Sequence, residues 1–168
     1  MPSRVVGQAG SLETELKTLL EHPDFQEGSH WRTRRVEAGQ AVFREGETGS
    51  DLYLILQGSV RVMGDVELES RSRIQPGFCD LPAGALFGEL ALFDREPRSA
   101  TVVAVEDTEL VVIDGEQLLR FFDANPEIGY NMLKEMLSVT VGRLRSTNKK
   151  LVSLFVWGLK AHRIEQHL

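Results

Sequence analysis

The stretch "FGELALFDREPRSATV", residues 87–102, places one carboxylate, Glu89, directly after a glycine and one guanidinium, Arg98, directly after a proline. Nine positions and a turn separate the two. One chemistry is an ordinary ion pair. The other is a shared ligand with two polar ends. Arg98 presents a planar fork of donors suited to phosphate oxygens, with the Ser99 hydroxyl beside it. Glu89 accepts but does not donate, so it needs a hydroxyl-bearing neighbour, and a ribose would serve. The run "GELALF" is too short for a strand pair and holds no internal turn residue, which predicts one helical turn. Its first amides would point outward as an anion site, and Gly88 would let the backbone approach a ligand. An Arg/Glu pair is more often structural, and spacing alone leaves both readings open.

Other reactive residues form no constellation. His22, His30, His162 and His167 lack metal-ligand spacing and read as solvated. Cys79 is a lone cysteine with no paired histidine signature for haem. Phe155 and Trp157 read as packing residues, and no nucleophile–base–acid set assembles, so the chain is not read as an enzyme.

Positioning Glu89 and Arg98 requires a rigid frame, and the sequence supplies one. Between His30 and Ile113, short alternating segments such as "DLYLILQGSVRVM" and "SATVVAVEDTELVVID" are separated by glycine-containing turns. That texture predicts an antiparallel all-β barrel or sandwich. Upstream, "SLETELKTLLEHPDF" predicts an amphipathic helix capped by Ser11 and stopped by Pro23. Downstream, "EQLLRFFDAN" predicts a short helix, and a long one follows with Pro126 at its favoured first position. Along that helix Leu133, Leu137, Thr140, Leu144, Thr147, Leu151 and Leu154 recur every three to four residues. This is an apolar stripe suited to pairing with its twin. The expected organisation is an N-terminal helical segment over 1–29, a β domain over 30–125 and a long C-terminal helix with a short tail over 126–168.

Composition narrows the function classes. The chain has 168 residues, 42% apolar and 26% charged, as expected for a globular protein with a real core. No apolar run approaches the ~18 residues of a membrane span, and one unpaired cysteine points to the cytoplasm. The net charge of −6 argues against a general nucleic-acid binder. It is uneven: residues 1–126 carry 12 basic and 22 acidic residues, residues 127–168 carry 7 and 3.

"FGELALFDREPRSATV" resembles the phosphate-binding cassette of cyclic nucleotide-binding domains, whose pattern runs F-G-E-L-A, a short loop, P-R, then A-T. The upstream "VEAGQAVFREGETGSDLYLILQGSVRV" is similar to that family's β-roll, and the resemblance extends over about residues 30–151. It implies a mainly β fold with flanking helices: an antiparallel β-roll plus an N-terminal helix and a long C-terminal helix. It also implies that Glu89 takes the ribose 2′-hydroxyl and Arg98 the exocyclic phosphate oxygens. Ser99 and the amides around Gly88, Leu90 and Ala91 would complete the cradle, flanked by Phe87 and Ala100. Serine at position 99 occurs with cyclic AMP in bacterial receptors, whereas a hydroxyl residue there often goes with cyclic GMP. The reading adopted is cyclic AMP, with cyclic GMP second.

Two departures touch the pocket mouth. Ala85 stands where the family usually has an acidic residue, and 71–84 is longer and richer in proline than the expected hairpin. A cyclic di-GMP site, or an interaction module with a non-functional pocket, is the alternative. The long helix resembles the dimerisation helix of bacterial cyclic AMP receptor proteins, which also reaches the bound base. Alignment on "GRLRSTNKKL" gives that contact to Thr147 and Asn148, and ungapped alignment from "NPEI" gives it to Arg143 and Leu144. The Thr147 register is adopted. About ten residues follow, too few for a helix-turn-helix domain. The expectation is a homodimeric sensor that acts on an effector protein, without specific DNA binding or a membrane.

Overall fold

A computed structural model of the chain describes residues 8–161 except 65, 68–72 and 75–76. In chain order the elements are α1 (Gln8–Leu20), β1 (Trp31–Val36), β2 (Ala41–Phe43), β3 (Leu52–Gln57), β4 (Ser59–Met63), β5 (Val66–Glu67) and β6 (Arg73–Ile74). They continue with β7 (Gly77–Pro82), β8 (Leu86–Phe87), α2 (Leu90–Asp94), β9 (Thr101–Ala104), β10 (Thr108–Ile113), α3 (Gly115–Ala124) and α4 (Pro126–Ala161). Helix α1 starts at Gln8, so Ser11 lies inside it rather than capping it. Gln8 and Ala9 are good helix formers and carry the helix back one turn.

Two four-stranded antiparallel sheets, β1-β10-β3-β8 and β2-β9-β4-β7, face one another, and β5 pairs with β6 as a separate ribbon. This is the antiparallel β-roll with flanking helices. Alternation drives it: on one side of the strands Val36, Phe43, Tyr53, Ile55, Val60, Phe87, Val102, Leu110 and Val112 fill the roll interior. On the other face of the β1-β10-β3-β8 sheet, Leu52, Leu54, Val111 and Ile113 join α1, α3 and α4 in a second core with Leu16, Leu19, Phe25, Leu118 and Met132. The β3–β4 turn needs Gly58, because φ is 87° and a Cβ would lie 2.5 Å from Thr108 Oγ1.

Asp114 caps α3, its Oδ1 accepting from the Gln117 amide at 3.0 Å. Asn125 separates α3 from α4, and Pro126 opens α4. The first part of α4 packs by Met132 and Met136 against the second core. Further on, the expected stripe divides. Leu137, Leu144 and Leu151 are exposed, joined by Val141, Asn148 and Phe155 rather than by threonines. Thr140 and Thr147 turn toward the roll. Their neighbours one turn away, Arg143 and Lys150, bond to it. No helix among the described residues is long and apolar enough to cross a membrane.

Candidate functional site

The cassette follows β8. Gly88 carries the chain into α2 with φ of 83°, and a Cβ there would lie 3.0 Å from Arg98 Nη1, from the Asp51 carbonyl oxygen and from Tyr53 Cδ2. Only glycine fits both the conformation and the space. The expected single helical turn is α2, Leu90–Asp94. Glu89 sits at its N-cap position but makes no capping bond, because its side chain goes elsewhere. Arg95, at φ 57°, turns the chain toward Pro97 and Arg98.

Arg98 is 5% exposed. Its Nη1 donates to the Gly88 carbonyl and its Nη2 to the Asp51 carbonyl, both at 2.9 Å. The guanidinium lies 4.4 Å from the Phe43 ring centroid and 5.6 Å from that of Tyr53. Tyr53 and Phe87 stack at 5.1 Å, so three aromatic rings floor the cationic site. The Arg98 amide and carbonyl are also fixed, by Glu47 O at 2.8 Å and Gly46 N at 2.9 Å. The remaining guanidinium donors are those a bound anion would meet. Burial raises the Tyr53 pKa above its ordinary value, with the Arg98 charge opposing. Asp51 is likewise raised by burial, with Arg32 opposing.

Glu89, 8% exposed, does not pair with Arg98. Its Oε1 accepts from Arg143 Nη1 at 2.9 Å, across 54 positions of chain. Arg143 Nη2 also bonds to the Leu86 carbonyl, tying α4 to β8. Two turns on, Lys150 Nζ donates to the Phe78 carbonyl of β7 at 2.9 Å. Arg143, Thr147 and Lys150 fall within ~60° of one another on a regular helix. Thr147 therefore faces the gap between these two attachments, exposed, whereas Asn148 points to the opposite flank of α4. Of the other expected site residues, Phe87 and Ala91 are buried, Gly88 and Ala100 half-buried, and Leu90 and Ser99 exposed.

The sequence reading did not foresee Arg143 as the partner of Glu89, nor Asp51, Phe43, Tyr53 and Lys150 as parts of the site. Arg143 carried one signal, its place one helical turn before Thr147. Ala85 packs against the roll core, and Cys79 is half-buried in β7 opposite Val62. His22 packs on Phe121 and His30 on Phe25, each 5.0 Å between centroids. His162 and His167 lie outside the described residues, as do 71–72 and 75–76 of the long hairpin. A 680 Å³ cleft over β4 and β7 holds Arg61 and Asp80, which satisfy each other at 2.6 Å.

A buried arginine and a buried glutamate, each held by other partners, flank the turn bent at Gly88 and lie over an aromatic floor. The sequence profile of the cyclic nucleotide-binding domain matches residues 33–125, and the chain belongs to that family. It is 33% identical over 123 residues to the cyclic AMP receptor protein of Thermus thermophilus, covering 73% of this chain and 53% of that protein. It is 35% identical over 124 residues to a putative potassium channel protein of Rhodopseudomonas palustris, covering 73% of this chain and 28% of that one. The chain thus spans about half or less of these relatives. A cyclic nucleotide-binding domain from Methylobacillus flagellatus superimposes with a TM-score of 0.67 at 27% identity, over 74% of this chain and 67% of that one. The catabolite activator protein of Thermus thermophilus does so with 0.61 at 30% identity, over 84% and 59%.

Proposed function

We propose that this chain is a regulatory sensor that binds a purine cyclic mononucleotide, cyclic AMP before cyclic GMP, and signals through α4 as a homodimer. One observation carries the reading. Glu89 and Arg98 are both buried on one cassette, yet each is held by partners other than its opposite number. A purely structural acid and base so close in sequence would neutralise each other. These two instead present separate acceptor and donor ends, matching a ribose hydroxyl and a cyclic phosphate.

Cyclic AMP is favoured by two relatives, the cyclic AMP receptor protein of Thermus thermophilus and a cAMP-activated regulator of Mycobacterium tuberculosis that is 32% identical. Thr147, on the roll-facing side of α4, is the residue proposed to meet a base, with Asn148 about 100° further around the helix. Binding rather than catalysis is the reading taken, because the two buried charged groups of the site, Glu89 and Arg98, are held by fixed partners. An effector protein would read the state of α4, and sequence-specific DNA readout is not part of this chain's proposed role.

Calorimetry of the whole chain against cyclic AMP, cyclic GMP and cyclic di-GMP tests the reading. Saturable heat with cyclic AMP, weaker with cyclic GMP and abolished by Arg98→Leu, is expected. Absence of heat with all three at millimolar ligand overturns it.

A further inference from the structure

Arg98 is buried, and no carboxylate among the described residues lies within ion-pair distance of its guanidinium. A buried charge without an opposite charge needs other compensation. The carbonyls of Gly88 and Asp51 supply part of it, through Nη1 and Nη2. They fix the group along one edge and restrain it far less against tilting about that edge. The Phe43 ring meets the group from another side, 4.4 Å from Cζ to the ring centroid, with Tyr53 farther off at 5.6 Å. The negative face of an aromatic ring attracts a cation, most strongly where water is excluded.

The segment that carries Phe43 also grips Arg98 by its backbone. The Gly46 amide donates to the Arg98 carbonyl at 2.9 Å, and the Arg98 amide donates to the Glu47 carbonyl at 2.8 Å. Between them, the Glu45 amide donates to Thr101 Oγ1 at 3.0 Å. Residues 43–47 thus hold Arg98 at both ends, main chain and guanidinium. Phe43 is braced in turn by Tyr53 at 5.4 Å and Phe87 at 6.0 Å between centroids. Tyr53 stands two residues from Asp51, and Phe87 directly precedes Gly88. The two braces and the two carbonyls therefore come from the same two segments.

Resting on the reading of the site above, we infer that Phe43 is its positioning residue. The ring sets the tilt of the Arg98 guanidinium and offsets its charge while no ligand is bound. The donors not spent on the carbonyls then meet a phosphate already aimed, and groups held in place before binding lose less freedom on binding. Lysine could not take the place of Arg98, because an ammonium has neither a flat face for the ring nor a fork for both carbonyls.

The test uses the whole chain with mono-, di- and trifluorophenylalanine at position 43. These weaken the negative face of the ring stepwise and change its shape little, whereas Phe43→Leu removes it. Calorimetry should show cyclic AMP affinity falling with each added fluorine, and by about three- to thirtyfold in Phe43→Leu, within the span of a desolvated cation–π contact. A second readout needs no ligand. The Arg98 Nε–H resonance, assigned by its loss in Arg98→Lys, should be shifted by the ring current in wild type and move in Phe43→Leu. A loss of affinity in Phe43→Leu alone, with the fluorinated proteins equal to wild type, assigns Phe43 to packing and overturns the inference. Unchanged affinity throughout also overturns it and leaves the nucleotide reading standing. A wild type that takes no cyclic nucleotide overturns that reading instead; the ring contact is then judged by the Arg98 resonance, and a signal unmoved in Phe43→Leu overturns it too.

Discussion

Glu89 bonds to Arg143 at 2.9 Å and leaves Arg98 to the carbonyls of Gly88 and Asp51. The acid proposed to take a ribose hydroxyl is therefore already tied to the helix that crosses the roll. On the proposed reading, a ligand hydroxyl at Glu89 would act on the attachment of α4 as well as on the cassette, so occupancy and helix position would be linked.

That pair is measurable by a double-mutant cycle. Arg143→Met strands a carboxylate that is mostly buried, and should cost ~1–3 kcal/mol of unfolding free energy. Glu89→Gln should cost less. The double variant should recover part of the loss, giving a coupling energy of at least ~0.5 kcal/mol in denaturant titrations. Additive losses would show that the contact is not formed in solution.

Gly88→Ala should damage binding more than folding. The new methyl group meets Arg98 Nη1, the Asp51 carbonyl and Tyr53 at 3.0 Å each, in a backbone region that disfavours it. Strain of ~1–3 kcal/mol is expected, released by displacing the cassette. Calorimetry should show cyclic AMP affinity lost in a protein that still melts cooperatively. Wild-type affinity would contradict the fit described for the turn.

On the exposed face of α4, Leu144→Asp and Leu151→Asp each place a charge among the apolar residues proposed to form the homodimer contact. Each should turn the dimer into a monomer by light scattering at tens of micromolar, with the β-roll circular dichroism little changed. A dimer that survives both substitutions would move the interface off α4.

Asp51 gives a pH test. Burial raises its carboxyl pKa above the usual 3.8, against the opposing Arg32 charge. A raised folded pKa means that the native state holds the proton more tightly than the unfolded chain. Its favourable contribution is present below the unfolded pKa and lost as pH rises through the folded value. Asp51→Asn keeps a neutral side chain throughout, so its stability relative to wild type should increase as pH rises through the usual carboxylate value and level off above the raised folded value. Melting curves across that range check it, and a difference that shrinks with rising pH would reverse the sign.

The sequence by itself determined the β-roll, its flanking helices and the cassette. Those features are local or periodic. Alternation puts Tyr53, Ile55, Leu110 and Val112 on the buried face, Pro126 sits at the favoured first position of a periodic segment, and Gly88 with Glu89 marks a bent turn. Tertiary structure alone decided who meets whom. Arg143 lies 54 positions from Glu89, and Asp51 lies 47 from Arg98, distances over which neither spacing nor periodicity carries a signal. It also decided which face of α4 is free. The leucines at 137, 144 and 151 fit two stripes, one with Thr140 and Thr147 and one with Val141, Asn148 and Phe155. The packing of Met132 and Met136 in the second core and the anchoring of Arg143 and Lys150 to β8 and β7 fixed the rotation of the helix about its own axis, turning Thr147 toward the roll.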